Sequence, residues 1–112
     1  MRDDDDRAGT KKKPERINRF LDSEGRLTVL PAKQGKRLAV LAYLTLKFDL
    51  HRDYTEKEVN ALCDAWHTFG DYFIVRRELI EAGFLHRVPD GSRYWRELPL
   101  EQLSALFELD AN

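Results

Sequence analysis

The chain has 112 residues, with 19 Lys and Arg against 20 Asp and Glu for a net charge of -1. That length suits one small domain with tails. A near-neutral balance lacks the overall basic signature of a nucleic-acid binder, so charge has to be judged by location. A single cysteine, Cys63, excludes an intrachain disulfide and fits a reducing cytosol.

The first residues, "MRDDDDRAGTKKK", place an acidic block before a basic one. They have no apolar segment of the kind a signal peptide needs and read as a disordered charged tail over residues 1–13. "PERINRFLD" follows, with Pro14 at a helix start and apolar Ile17, Phe20 and Leu21. It predicts a short helix. "RLTVLP" (26–31) alternates in the manner of a short strand closed by Pro31.

"GKRLAVLAYLTLKF" (35–48) predicts the central helix, apolar over a wide face through Leu38, Leu41, Ala42 and Leu44. It is too short to span a bilayer. Thr55 and Glu58, three apart, form a capping box and start a helix from Glu56 to about Trp66. Thr68 with Asp71 marks the start of a third helix, which runs to Ala82 and stops at Gly83, where left-handed geometry is needed. Asp90-Gly91 then joins "FLHRV" to "RYWRE" as a hairpin. Pro99 opens a terminal amphipathic helix carrying Leu100, Leu103, Leu106 and Phe107.

Strand, three helices and hairpin in this order predict an α+β winged-helix-like domain over 14–97, completed by a C-terminal helix over 98–112. The strand at 26–31 would pair with the hairpin, because a lone two-stranded ribbon is marginal.

The cations separate into four settings. Lys33, Lys36 and Arg37 sit at the start of the central helix, where cations oppose the helix dipole and an anion such as a DNA phosphate would be welcome. Arg87, Arg93 and Arg96 lie on the hairpin, either gripping phosphates or keeping a solvated ribbon soluble. On a helical wheel Arg76 falls inside the apolar stripe of Tyr72, Val75 and Leu79, which gives it a structural role with Glu56 or Glu58 as partner. Arg77 points away from that stripe and can reach a groove, although Glu78 and Glu81 share its side. Tyr72 and Trp95 are candidate aromatic contacts or core residues.

Cys63 and His67, four apart, are too few for a zinc site, and no phosphate loop, catalytic motif or cofactor site is apparent. The terminal helix either covers its own core or pairs with a second copy.

"RLTVLPAKQGKRLAVLAYL", "YTEKEVN", "RRELIEAGFLHR" and "DGSRYW" together resemble the DUF2087 domain across about Ile17 to Arg96. "ELIEAGFL" is similar to the end of the recognition helix in winged-helix regulators. The resemblance implies a bacterial domain found alone or attached to helix-turn-helix regulators, with no catalytic residues to carry over. The expected function is therefore non-enzymatic: a transcriptional regulator or accessory domain that binds double-stranded DNA. A protein-interaction module on the same scaffold is the alternative.

Overall fold

A computed structural model describes residues 16–108. The charged tail and the start of the helix predicted from Pro14 lie outside the described residues. The described chain is α+β. After a 3-10 turn at Asn18–Phe20 come α1 (Gln34–Thr45), α2 (Glu56–Ala65), α3 (Tyr72–Glu81), β1 (His86–Arg87), β2 (Tyr94–Trp95) and α4 (Leu100–Glu108). Among the described residues no helix is long and apolar enough to cross a membrane.

The central helix α1 is the hub. Ala39, Val40, Leu41, Ala42 and Leu44 are all buried, and the buried Thr45 hydroxyl donates back to the Leu41 carbonyl at 2.7 Å. The apolar face is wide because the helix has neighbours on several sides: α4 packs along it and α3 contacts it, while α2 packs on α3. Each large aliphatic side chain removed from water here contributes about 1.5–3 kcal/mol. The apolar stripe of α4 is occupied within the chain. Leu103 and Phe107 are buried, and the Phe107 ring meets Tyr43 edge-on at 5.9 Å. Leu100 and Leu106 stay on its outer side.

The N-terminal segment departs from expectation in two ways. The helix predicted across 14–22 is, in its described part, only the 3-10 turn. The Asp22 carboxylate accepts from the Glu24 and Arg26 amides at 2.9 and 2.8 Å, which folds the chain back at once. A helix this short has little stability of its own, so burying Ile17 and Leu21 decides the path. The strand predicted at 26–31 is reduced to bridges at Leu27, with Leu21 and His67, and it does not reach the hairpin. The Leu27 amide donates to the Trp66 carbonyl at 2.8 Å and its carbonyl accepts from Thr68 at 2.9 Å, tying it to the end of α2.

A different segment lies beside the hairpin. Tyr54 exchanges both backbone hydrogen bonds with Tyr94, at 2.8 and 2.9 Å, and His51 donates to the Arg96 carbonyl at 3.1 Å. The connection between α1 and α2 therefore supports β2. Its anchor is the buried Tyr54, whose ring meets Phe48 edge-on at 5.2 Å and whose hydroxyl accepts from the Asp49 amide.

Local chemistry sets the helix ends that aim the outer face. Thr55 and Glu58 form the full reciprocal capping box of α2. The cap of α3 is Asp71, three residues later than Thr68; its carboxylate accepts from the Ile74 amide at 3.1 Å. The C-terminus of α3 is a Schellman motif. Phe84 donates to the Leu79 carbonyl and Gly83 to that of Ile80, each at 3.0 Å, with Gly83 at φ +82. Phe84 and Leu79 are both buried, so the stop is also a hydrophobic clamp that sends the chain into β1. In the hairpin, His86 pairs with Trp95 and Arg87 with Tyr94. Val88 accepts from Gly91 at 2.9 Å around Pro89 and Asp90, and Gly91 takes φ +77.

Candidate functional site

The outward side of α3 faces the hairpin across a groove of about 280 Å3. One wall is a single helical face, Phe73, Arg76, Arg77 and Ile80, with Glu81 beside it. The other wall comes from Arg87 and Tyr94 of the hairpin and from Glu56 at the start of α2. The Schellman stop brings these elements together, since the chain leaves α3 and turns directly into β1. Gly91 completes the arrangement. A Cβ there would sit 3.2 Å from a Glu56 carboxylate oxygen and 3.5 Å from the Arg87 guanidinium.

Arg76 is held rather than free. Its side chain is 14% exposed, and Nη1 donates to the Asn60 side-chain oxygen at 2.6 Å and to Glu56 Oε2 at 3.2 Å. Glu58 is used elsewhere, in the α2 cap and beside Arg52. The Arg76 guanidinium also lies 5.2 Å from the centre of the Phe73 ring. Arg77 is half-exposed and only loosely engaged, 4.0 Å from Glu78 and 4.0 Å from Glu81. Glu78 is a hinge of charge: one carboxylate oxygen faces Arg77 and the other lies 3.8 Å from Arg37 Nε. The basic start of α1, where Lys33 precedes an N-terminus with no side-chain cap and Lys36 and Arg37 fill the first turn, is thereby joined to α3.

The hairpin cations have separate fates. Arg87 is exposed, faces the groove and, among the described residues, has no carboxylate within ion-pair distance. Arg93 pairs with Asp53 at 3.2 Å and lies over the Trp95 ring at 4.3 Å. Arg96 corrects the sequence reading. It is 6% exposed, and its guanidinium donates to the carbonyls of Phe48 at 2.7 Å and Leu98 at 2.8 Å. Burial pushes its pKa down, opposed by Asp49. It ties the end of α1 to the segment before α4 and is not available to a ligand. Tyr72 is also corrected: instead of joining the core stripe of α3 it is 41% exposed, near the exposed Phe69 and Phe73.

The remaining chemistry-bearing groups are committed internally. The buried His67 sets Nδ1 2.6 Å from the Cys63 carbonyl, and its Nε2 accepts from the Asp71 amide at 2.8 Å. It stitches the end of α2 to the cap of α3. Burial pushes the Cys63 thiol up to about 12, opposed by Arg76, so no reactive thiolate forms. Among the described residues no group of three or more His, Cys, Asp or Glu side chains could hold a metal ion.

The helical wheel set Arg76 and Arg77 apart, whereas both line one wall of the groove with Phe73 and Ile80. Its second wall needs the hairpin and the start of α2, brought in by contacts far apart in sequence. A profile for a family described as an uncharacterized protein conserved in bacteria, DUF2087, matches residues 26–96. No curated protein and no solved structure matches the chain.

Proposed function

The chain belongs to the DUF2087 family, and on that premise we propose that it is a non-enzymatic, cytoplasmic winged-helix module that binds double-stranded DNA as part of transcriptional regulation. The element order supports this reading. Helix α1, the extended stretch that bonds to β2 at Tyr54, α2, α3 and the hairpin follow one another as helix, strand, helix, helix and wing do in that fold. In it, α3 is the recognition helix and the β1–β2 turn is the wing.

The observation that carries the proposal is the sharing of Glu78 between Arg37 and Arg77. It brings Arg37 of α1 and Arg77 of α3 to one carboxylate; Arg77 lines the same groove as Arg87, and Lys33 and Lys36 stand at the start of α1 beside Arg37 in sequence. The exposed Arg77–Glu81 pair at 4.0 Å is worth under about 1 kcal/mol, so a phosphate can compete with Glu81 for Arg77 at little cost. Phosphate contacts then supply affinity, and Arg77, Tyr72 and Phe73 approach the base edges.

The test is fluorescence anisotropy with random-sequence duplex DNA at low salt. Arg77→Gln and Arg87→Gln should each weaken binding several-fold, while Arg26→Gln, whose partners are Asp22 and Glu24, should not. Equal effects of all three would remove the assignment of a face. The exposed Phe69, Tyr72 and Phe73 favour one other reading, a protein partner docked on the start of α3.

A further inference from the structure

The groove between α3 and the hairpin has a chemistry that DNA alone does not require. A phosphate needs cations and donors. Here Arg87, which has no carboxylate within ion-pair distance among the described residues and feels Asp90 only at longer range, lines the groove with an apolar surface formed by Phe73, 52% exposed, and Ile80. Glu56 and Glu81 also line the groove, so its guanidinia, Arg76, Arg77 and Arg87, exceed its carboxylates by one charge, which matches one anionic group and not a polyanion deep inside. A single carboxylate with an apolar body fits that balance. Its charge can reach Arg87 while its body covers Phe73 and Ile80, which removes apolar surface from water. The volume of about 280 Å3 is near the lower end for small-molecule sites. Arg76 is already oriented by Asn60 and Glu56, so that part of the wall is rigid before any ligand arrives.

We propose that this groove is a binding site for a small organic carboxylate with an aromatic or branched aliphatic body, with Arg87 taking the carboxylate and Phe73 and Ile80 the apolar part. Arg77 and Arg87 are also the cations assigned above to DNA, so ligand and DNA exclude each other. That last step rests on the DNA reading, whereas the ligand site does not.

The experiment is a two-dimensional NMR titration of the full chain with phenylacetate, benzyl alcohol and inorganic phosphate as probes. Phenylacetate should shift signals of Phe73, Ile80 and Arg87 saturably. Arg87→Gln should weaken that binding at least tenfold, and Phe73→Ala should weaken it with the rest of the spectrum unchanged. The absence of a saturable shift with phenylacetate overturns the site. So does equal binding of benzyl alcohol, which removes the ionic half, or of phosphate, which removes the apolar half. In a parallel arm, phenylacetate should displace labelled duplex DNA. If DNA does not bind at all while phenylacetate does, the carboxylate site stands and the DNA reading falls. If both bind without competition, the shared-cation step is overturned.

Discussion

Arg96 offers a sharp test of how this fold uses its charges. The Arg96→Ala substitution removes a guanidinium that donates to two carbonyls, Phe48 at 2.7 Å in a buried setting and Leu98 at 2.8 Å in a partly buried one. A hydrogen bond to a charged group is worth about 1.5–3 kcal/mol, and leaving a buried carbonyl unpaired adds its desolvation cost. Against that, the variant no longer has to desolvate a guanidinium, which burial already disfavours as shown by its lowered pKa. The balance is a loss of about 3 kcal/mol for Arg96→Ala and about 2 kcal/mol for Arg96→Met, which keeps much of the apolar stem. For a domain of this size about 1 kcal/mol moves the melting temperature by roughly 4–8 °C, so Arg96→Ala should melt at least about 12 °C lower. Circular dichroism melts with matched urea titrations measure this. The comparison is Arg93→Ala, an exposed cation on the same hairpin that is paired only with Asp53, which should cost under about 1 kcal/mol. If Arg96→Ala melted within about 2 °C of the parent, the interior role assigned to this residue would be wrong.

Two further outcomes concern Arg76 and Cys63. Arg76→Ala should destabilise by about 2 kcal/mol, mostly through its bond to Asn60, with Arg76→Met losing less; equal melting temperatures for parent and both variants would contradict the packing described here. Cys63 should resist alkylation in the native state at pH 8.5 and react once unfolded. Its folded pKa is raised to about 12, so its contribution to stability is intact below the unfolded value near 8.5 and falls away as pH rises through about 12. Across that window the parent should lose roughly 1.4 kcal/mol per pH unit more than Cys63→Ala, and parallel stability curves would refute the assignment.

The parts of this fold legible in sequence are the local ones. Thr55 and Glu58 are three apart, Gly83 follows the last helical turn and Asp90-Gly91 sits between two β-prone runs; each signal is complete within a few residues, and each feature is present. The wheel placed Arg76 toward the interior and Arg77 outward for the same reason. What failed depended on distant partners. Residues 26–31 alternate like a strand, but Leu27 is claimed by Trp66 and Thr68, while the place beside β2 goes to Tyr54, which carries no period-2 signal around it. Arg96 looked like a wing cation because it follows "RYW"; its role comes from the Phe48 carbonyl, 48 residues earlier, at the end of α1. The Asp71 cap was misplaced at Thr68 because His67 reorganises that turn, donating no sequence pattern while bonding on both sides of it. Side-chain pairing across elements, such as Glu78 between Arg37 and Arg77, is not displayed by a single sequence.

The central claim is that cations from α1, α3 and the hairpin act on one polyanion. The most direct measurement is the salt dependence of binding to duplex DNA. Five phosphate contacts, from Lys33, Lys36, Arg37, Arg77 and Arg87, correspond to a slope of log K against log salt of about -4.5. Reversing Lys36 and Arg37 together to Glu should reduce that slope in magnitude by about 2 while leaving the melting temperature near that of the parent. No binding even near 50 mM salt, or an unchanged slope in the double variant, would contradict the account.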